Sequence, residues 1–295
     1  MAQLGDGRRR PSIPTQDVVY SLFFGALLRV RSLNALEGRL KRPGFQRLLG
    51  RRATPDEKSF SADTVARVLD SLQTDSLRRL LARFVQQAER KKLFRSGPEG
   101  AKRVVAIDGW ESFSSESRHC PECLDRKKTR KGREVVEYYH RMAVALLIHD
   151  EVDVVLDFEP FRCADLRRLE GIPTGSHEGE QTATLRLIER LHKTYGNWID
   201  LFVLDALYPN GTVLTRVDEL GYGAVITVKK ETDEPFKDAI ALTAGKPPDA
   251  RWDDPVRKEH ARAWDVDEIE TLDTFRGKLR VVQVKVDKNG SERTW

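Results

Sequence analysis

The chain is short of several features that would settle its class at once. No apolar stretch reaches the ~18 residues a membrane-spanning helix needs, and Val18–Leu28, among the longest, is broken by polar residues. The opening segment, MAQLGDGRRRPS, has three arginines but no apolar run behind them, which argues against a cleaved secretory signal. Cysteine is scarce and odd in number, with three in 295 residues. A disulfide-stapled secreted fold is therefore disfavoured, and a reducing, cytoplasmic setting is expected. There is no internal repeat and no low-complexity tract. The aromatic complement of 12 Phe, 5 Trp and 6 Tyr is enough for packed interiors, which excludes wholesale disorder. The length suggests about two domains.

Acidic residues are also unevenly spread. Residues 1–100 carry 20 Lys/Arg against 10 Asp/Glu, whereas the remainder carries 31 against 36. A basic module joined to an acidic one suits an enzyme that handles DNA, one part neutralising phosphates and the other concentrating carboxylates. The plain reading is a set of solvated charged faces.

Residues 15–95 read as helices. Val18, Val19, Leu22, Phe23, Ala26, Leu27 and Val30 recur at helical spacing, and a second helix starts at Ser61 with Val65, Ala66, Val68, Leu69 and Leu72 on its apolar side. A third, capped by Asp75, carries Leu77, Leu80, Leu81, Phe84 and Ala88. Basic residues gather at Arg39, Lys41, Arg42, Arg47, Arg51 and Arg52, then at Arg90, Lys91, Lys92 and Arg95. Ser96-Gly97-Pro98-Glu99-Gly100 reads as a linker. The pattern then changes to short apolar strands. Val104–Ile107 ends at Asp108-Gly109, and a basic, cysteine-bearing loop follows. Tyr138–His149 and Val152–Phe161 are two further strands; Gly179–Tyr195 is a helix. Ile199–Leu204 is a strand ending at Asp205, Val213–Leu220 a helix and Ala224–Val228 a strand. Three strands followed by alternating helix and strand predict a mixed sheet flanked by helices. Beyond Lys230 the pattern loosens into loops at Glu231–Pro235 and Lys246–Asp249, with one more strand at Leu279–Val286.

Two constellations could carry chemistry. Asp108 and Asp205 each end an apolar strand, where carboxylates suit hard divalent cations such as Mg2+ or Mn2+. Strand-end aspartates can equally do no more than bond loop amides. The second constellation is His119, Cys120, Cys123 and His140. Cys-x2-Cys with nearby histidine is half of a zinc site; a second Cys-x2-Cys is absent and Cys163 is isolated, so ordinary loop residues remain the other reading. The run Arg126-Lys127-Lys128-Thr129-Arg130-Lys131 with Arg133 suits contact with a DNA backbone, or a solvated loop.

Val104–Gly109 (VVAIDG), His119–Cys123, Tyr138-Tyr139-His140, Gly179-Glu180-Gln181 leading into Leu185–Leu191, and Phe202–Tyr208 (FVLDALY) together resemble bacterial insertion-sequence transposases of the DDE type. The resemblance covers roughly residues 55–230, and Ser61–Leu72 is similar to the helical region before that family's core. It implies an α/β fold: a ribonuclease H-like mixed sheet flanked by helices, preceded by an all-α region and followed by the start of a β-rich insertion. The division it implies is 1–98 for the basic helical DNA-binding region, 99–230 for the catalytic core and 231–295 for a partial insertion. Asp108 and Asp205 match the first two acids of the family's metal-binding triad. The third, a glutamate on a helix after the insertion, is matched nowhere, so the chain reads as a C-terminally truncated copy with Glu180 and Glu159 as candidate local substitutes. The activity implied for the intact family is metal-dependent phosphodiester hydrolysis at element ends followed by strand transfer, with this truncated copy expected to be close to inactive. Its partner would be double-stranded DNA, bound by a homodimer at the bacterial nucleoid. A non-catalytic remnant that occupies element ends and a ribonuclease H-like nuclease are the alternatives.

Overall fold

The computed structural model describes residues 4, 7–8, 11–51, 59–94, 102–150, 152–173, 175–205, 211–228, 233–270, 272, 274–288 and 291–294. The expected linker at 96–100, Arg52 and Arg95 of the basic clusters, residues 206–208 and Trp295 lie outside them. The chain divides into two compact units, Met1–Lys91 and Lys92–Trp295.

In the first unit the described residues form α1 (Thr15–Leu27), α2 (Leu33–Leu40), α3 (Pro43–Leu48), α4 (Ala62–Ser71) and α5 (Thr74–Arg90). Ser32 and Ser61 cap α2 and α4 by accepting from the amides of Ala35 and Thr64, and Pro43 opens α3 where its missing N–H costs nothing. Val18, Leu36, Leu40, Phe45, Leu49, Phe60, Val65 and Val68 form one buried cluster. The sequence pattern misses α2 and α3, both short. It also places a cap at Asp75, which lies instead in the first turn of α5, with Gln73 at the cap.

The second unit opens with β1 (Val104–Ser115), β2 (Leu124–Arg130), β3 (Arg133–Ile148) and β4 (Val154–Pro160). Next come α6 (Ala164–Leu169), α7 (Glu180–Tyr195), β5 (Leu201–Leu204), α8 (Gly211–Glu219) and β6 (Gly223–Ile226). The sheet runs β2-β3-β1-β5-β6, with β4 also on β3. Since β1 lines one edge of β3 from Tyr138 to Ile148, β2 and β4 share the other edge, β2 against residues 133–139 and β4 against 142–147. β1, β3 and β4 are antiparallel; β5 and β6 run parallel to β1. This is a mixed α/β sheet with flanking helices.

Alternation divides the sheet's two faces. Val105, Ile107, Ala143, Ala145, Leu147, Phe202 and Leu204 are buried on one, which α7 covers above β3 and β4 with Ala183, Leu187, Ile188 and Leu191. The expected end of β1 at Asp108 is corrected. The strand continues to Ser115 because β3 is long enough to pair with it throughout, one extra residue, Ser112, being taken up between the pairs Glu111↔Arg141 and Phe113↔His140. Much of the expected cysteine-bearing loop is likewise a hairpin. Beyond β6 come α9 (Glu234–Thr243) and a separate antiparallel sheet of β7 (Ala250–Asp254), β8 (Glu259–Ile269), β9 (Leu279–Lys288) and β10 (Ser291–Thr294), where sequence showed a single strand. No helix among the described residues is long and apolar enough to cross a membrane.

Candidate functional site

The last paired rung of β1 with β5 is Ile107↔Leu204. Asp108 and Asp205 are therefore the next residues on two adjacent parallel strands, whose backbones lie ~4.8 Å apart. Ile107 and Leu204 are both 2 % exposed on the α7 face, so alternation puts Asp108 on the opposite face, and Asp205 directly follows the end of β5 at the same level. Asp108 is exposed and Asp205 half-buried. The Gly109 amide donates to Asp108 Oδ1 at 2.7 Å. Trp110, two residues on and on the same face as Asp108, is 55 % exposed.

Neither proposed substitute acid joins them. Glu180 opens α7 and is buried against the other side of the sheet, paired with Arg141. A Cβ at Gly109 would lie 2.6 Å from Arg141 Nη2 and 2.7 Å from Glu180 Oε2, so the pair presses on the backbone right behind Asp108. Glu159, on β4, is held by Arg186 at 2.8 Å and by Arg190. Burial works to raise its carboxyl, but the hydrogen bonds and charges of Arg190 and Arg186 prevail and hold it below the usual range. Arg190 also takes Asp157 at 2.6 Å, and Arg186 takes Glu178. These acids are neutralised within the α7–β4 layer, and their role is to fasten it.

The cysteine cluster is assembled by hairpin register. Arg130↔Arg133 closes the β2–β3 turn, and Lys131 and Gly132 both have positive φ, 50° and 77°, the signature of a two-residue type I′ turn. Counting back, Leu124 faces Tyr139, which sets Cys123 beside His140. Cys120 and Cys123 lie with their sulfurs 3.6 Å apart, each 3.3 Å from His140 Nε2. Burial, with its neighbouring thiols, pushes the Cys123 thiol up, although the Cys120 amide donates to its sulfur at 3.2 Å. His119 is not in this group; its exposed ring stacks on Tyr138 with centroids 4.5 Å apart. The sequence reading of four neighbouring ligands thus yields three from that set.

Two residues around the cluster carried little sequence signal. Cys163, at the N-cap of α6, is 3 % exposed, and its thiol donates to the Pro121 carbonyl at 3.6 Å. His177 accepts from the Ala164 amide at its Nδ1, 3.0 Å away, and its Nε2 lies 2.9 Å from Asp125 Oδ1. It ties the start of α6 to β2 across 52 residues of chain, with no fixed spacing to announce it.

The basic surfaces differ from each other. In the hairpin, Arg126 pairs with Glu111 and Glu137, Lys127 with Glu134, Lys128 with Glu137 and Arg130 with Glu116, so its charge is largely balanced. In the first unit Lys41 pairs with Glu37 and Arg51 with Asp17, while Arg39, Arg42 and Arg47 are exposed along α2 and α3. No protein-family model matches the chain, and a search of curated proteins finds no relative.

Proposed function

We propose that this chain is a DDE-type transposase of a bacterial insertion sequence, with a ribonuclease H-like core and Asp108 and Asp205 as its metal-holding acids. The observation that carries the reading is the rung Ile107↔Leu204, after which Asp108 and Asp205 follow at the same level of two adjacent parallel strands. The strand order supports it: β1, β3 and β4 antiparallel, then α7, β5, α8 and β6, with Asp108 and Asp205 each directly following the β1–β5 pairing.

Hard carboxylate oxygens one residue past the shared rung of neighbouring strands fit a magnesium or manganese ion. When bound, such ions activate the attacking oxygen and stabilise the leaving oxygen of a phosphodiester. What the chain itself contributes is placement. Asp108 is fixed by β1 and by its bond from Gly109, and Asp205 by the rung before it. Glu159 and Glu180, held in ion pairs on the opposite side, do not extend the pair. With these two acids as its ligands, the chain is expected to hold a divalent ion weakly and to nick DNA slowly. Duplex DNA would be gripped through the exposed arginines of the first unit. A non-catalytic protein that occupies element ends would share that grip without the acid pair's chemistry.

The test is manganese titration by calorimetry, joined to a nicking assay on duplexes cut from the DNA on either side of the gene. Asp108→Asn and Asp205→Asn should each abolish ion binding and nicking, and Glu180→Gln should leave ion binding unchanged. Binding and nicking that survive both aspartate changes would refute the reading.

A further inference from the structure

Three soft donors converge at the far end of the β1–β3 ribbon, and the way they meet needs a reason. The pairwise separations are 3.6 Å between the two sulfurs and 3.3 Å from each sulfur to His140 Nε2. Two thiolates and an imidazole around a tetrahedral zinc, with bonds of ~2.3 and ~2.0–2.1 Å, stand ~3.8 and ~3.6 Å apart. The cluster is thus within a few tenths of an ångström of the arrangement zinc imposes. Hydrogen bonding accounts for it less well. A neutral imidazole nitrogen carries either one proton or one lone pair, yet Nε2 faces two sulfurs at the same distance. A disulfide would need the sulfurs at ~2.05 Å, and all three cysteines are free.

We propose that Cys120, Cys123 and His140 bind a structural zinc ion, with Cys163 supplying the fourth donor. The elements prepare this site. The type I′ turn sets the register that brings Cys123 beside His140, and the Cys123 amide donates to the Cys120 carbonyl at 3.2 Å, closing the short loop between the two cysteines. His177 pins the start of α6 to β2, which keeps Cys163 against the same loop. Cys163 is buried and its thiol touches Pro121, the residue that follows Cys120; binding would require it to release that carbonyl. The resulting Cys3His set is one of the ordinary structural zinc sets. Three thiol protons leave as the ion enters, so the loaded site carries one net negative charge.

This site does not depend on the acid pair. His140 is paired with Phe113, five residues along β1 from Asp108, which is ~16 Å of strand. The ion would join the 119–123 loop, β3 and the approach to α6, and would take no part in phosphodiester chemistry.

Full-length protein, purified without a polyhistidine tag, should contain about one zinc per chain by mass spectrometry. Cys120→Ser and Cys123→Ser should each lower that content at least about tenfold. Cobalt added to the chelated protein should give the visible bands of a tetrahedral site and a near-ultraviolet thiolate-to-cobalt band. Cys163→Ser should keep the tetrahedral bands but remove about a third of the thiolate band, one donor in three. The unaltered chain's cobalt spectrum tests the site without any variant, and the Cys163→Ser spectrum is read on protein whose far-ultraviolet circular dichroism matches that of the unaltered chain. Three reactive thiols with neither zinc nor cobalt bound, or a Cys120–Cys123 disulfide in the isolated protein, would overturn the site. A cobalt spectrum unchanged by Cys163→Ser would overturn the fourth donor.

Discussion

Gly109 shows how much one missing side chain can hold in place. Its backbone is close to the Arg141–Glu180 pair, and a methyl group there would fall within 2.9 Å of three of their atoms. Gly109→Ala should force the half-buried pair aside at a cost of about 1–3 kcal/mol, seen as a lower denaturation midpoint with an unchanged slope. Combined with Glu180→Ala the loss should be less than additive, since the second change removes the carboxylate that the methyl displaces. Additive losses would mean the methyl meets something else. The aspartate on one side of this glycine was legible in the sequence, because an acid that follows a short apolar strand is a local pattern. The glycine's own task was not. It depends on Arg141 and Glu180, 39 residues apart, and Glu159 is likewise explained only by Arg186 and Arg190, 27 and 31 residues further on.

Among the elements, the β2–β3 hairpin departs most from what the residues suggest. A run of lysine and arginine has little intrinsic preference for strands, so the sequence reads as a loop. Ion pairs from Arg126, Lys127 and Lys128 to Glu137 and Glu134 across the hairpin supply what propensity lacks. The turn is the sensitive point. Gly132 at φ 77° tolerates no side chain without strain, and Gly132→Val should cost about 1–2 kcal/mol. Lys131→Asn, a residue at ease in the left-handed region, should instead raise the melting temperature slightly. If calorimetric melting shows both changes to be neutral, the turn does not set the register. The helices missed between α1 and α4, and the strands missed after α9, have related causes. α3 spans six residues, and β7 and β10 are nearly all exposed, so none shows a buried periodicity to read.

At the scale of the whole chain, the basic residues differ in how they are partnered. The hairpin's basic residues serve mainly to balance its acids, whereas Arg39, Arg42 and Arg47 stand exposed on the first unit. If the first unit holds duplex DNA through phosphates, affinity falls steeply with salt, by nearly one unit of log–log slope per phosphate neutralised. Replacing Arg39, Arg42 and Arg47 together by alanine in the full chain should flatten that slope by up to about 3. An unchanged slope, measured by fluorescence anisotropy with labelled duplex, would place the DNA contact elsewhere. The mixed sheet with its flanking helices was foreseeable because alternation of short apolar runs and helical stripes is encoded locally. The second sheet and the long shared edge of β3 were not, because they follow from pairing partners far apart in the chain.

The exposed indole of Trp110, two residues from Asp108 on the same face of β1, has an optical consequence. It makes the neighbourhood of the acid pair luminous in its own right, with an emission that depends on how much water surrounds the ring. Anything large enough to lie across those carboxylates also has to shield that ring, so occupancy at this face carries a colour of its own, independent of catalysis.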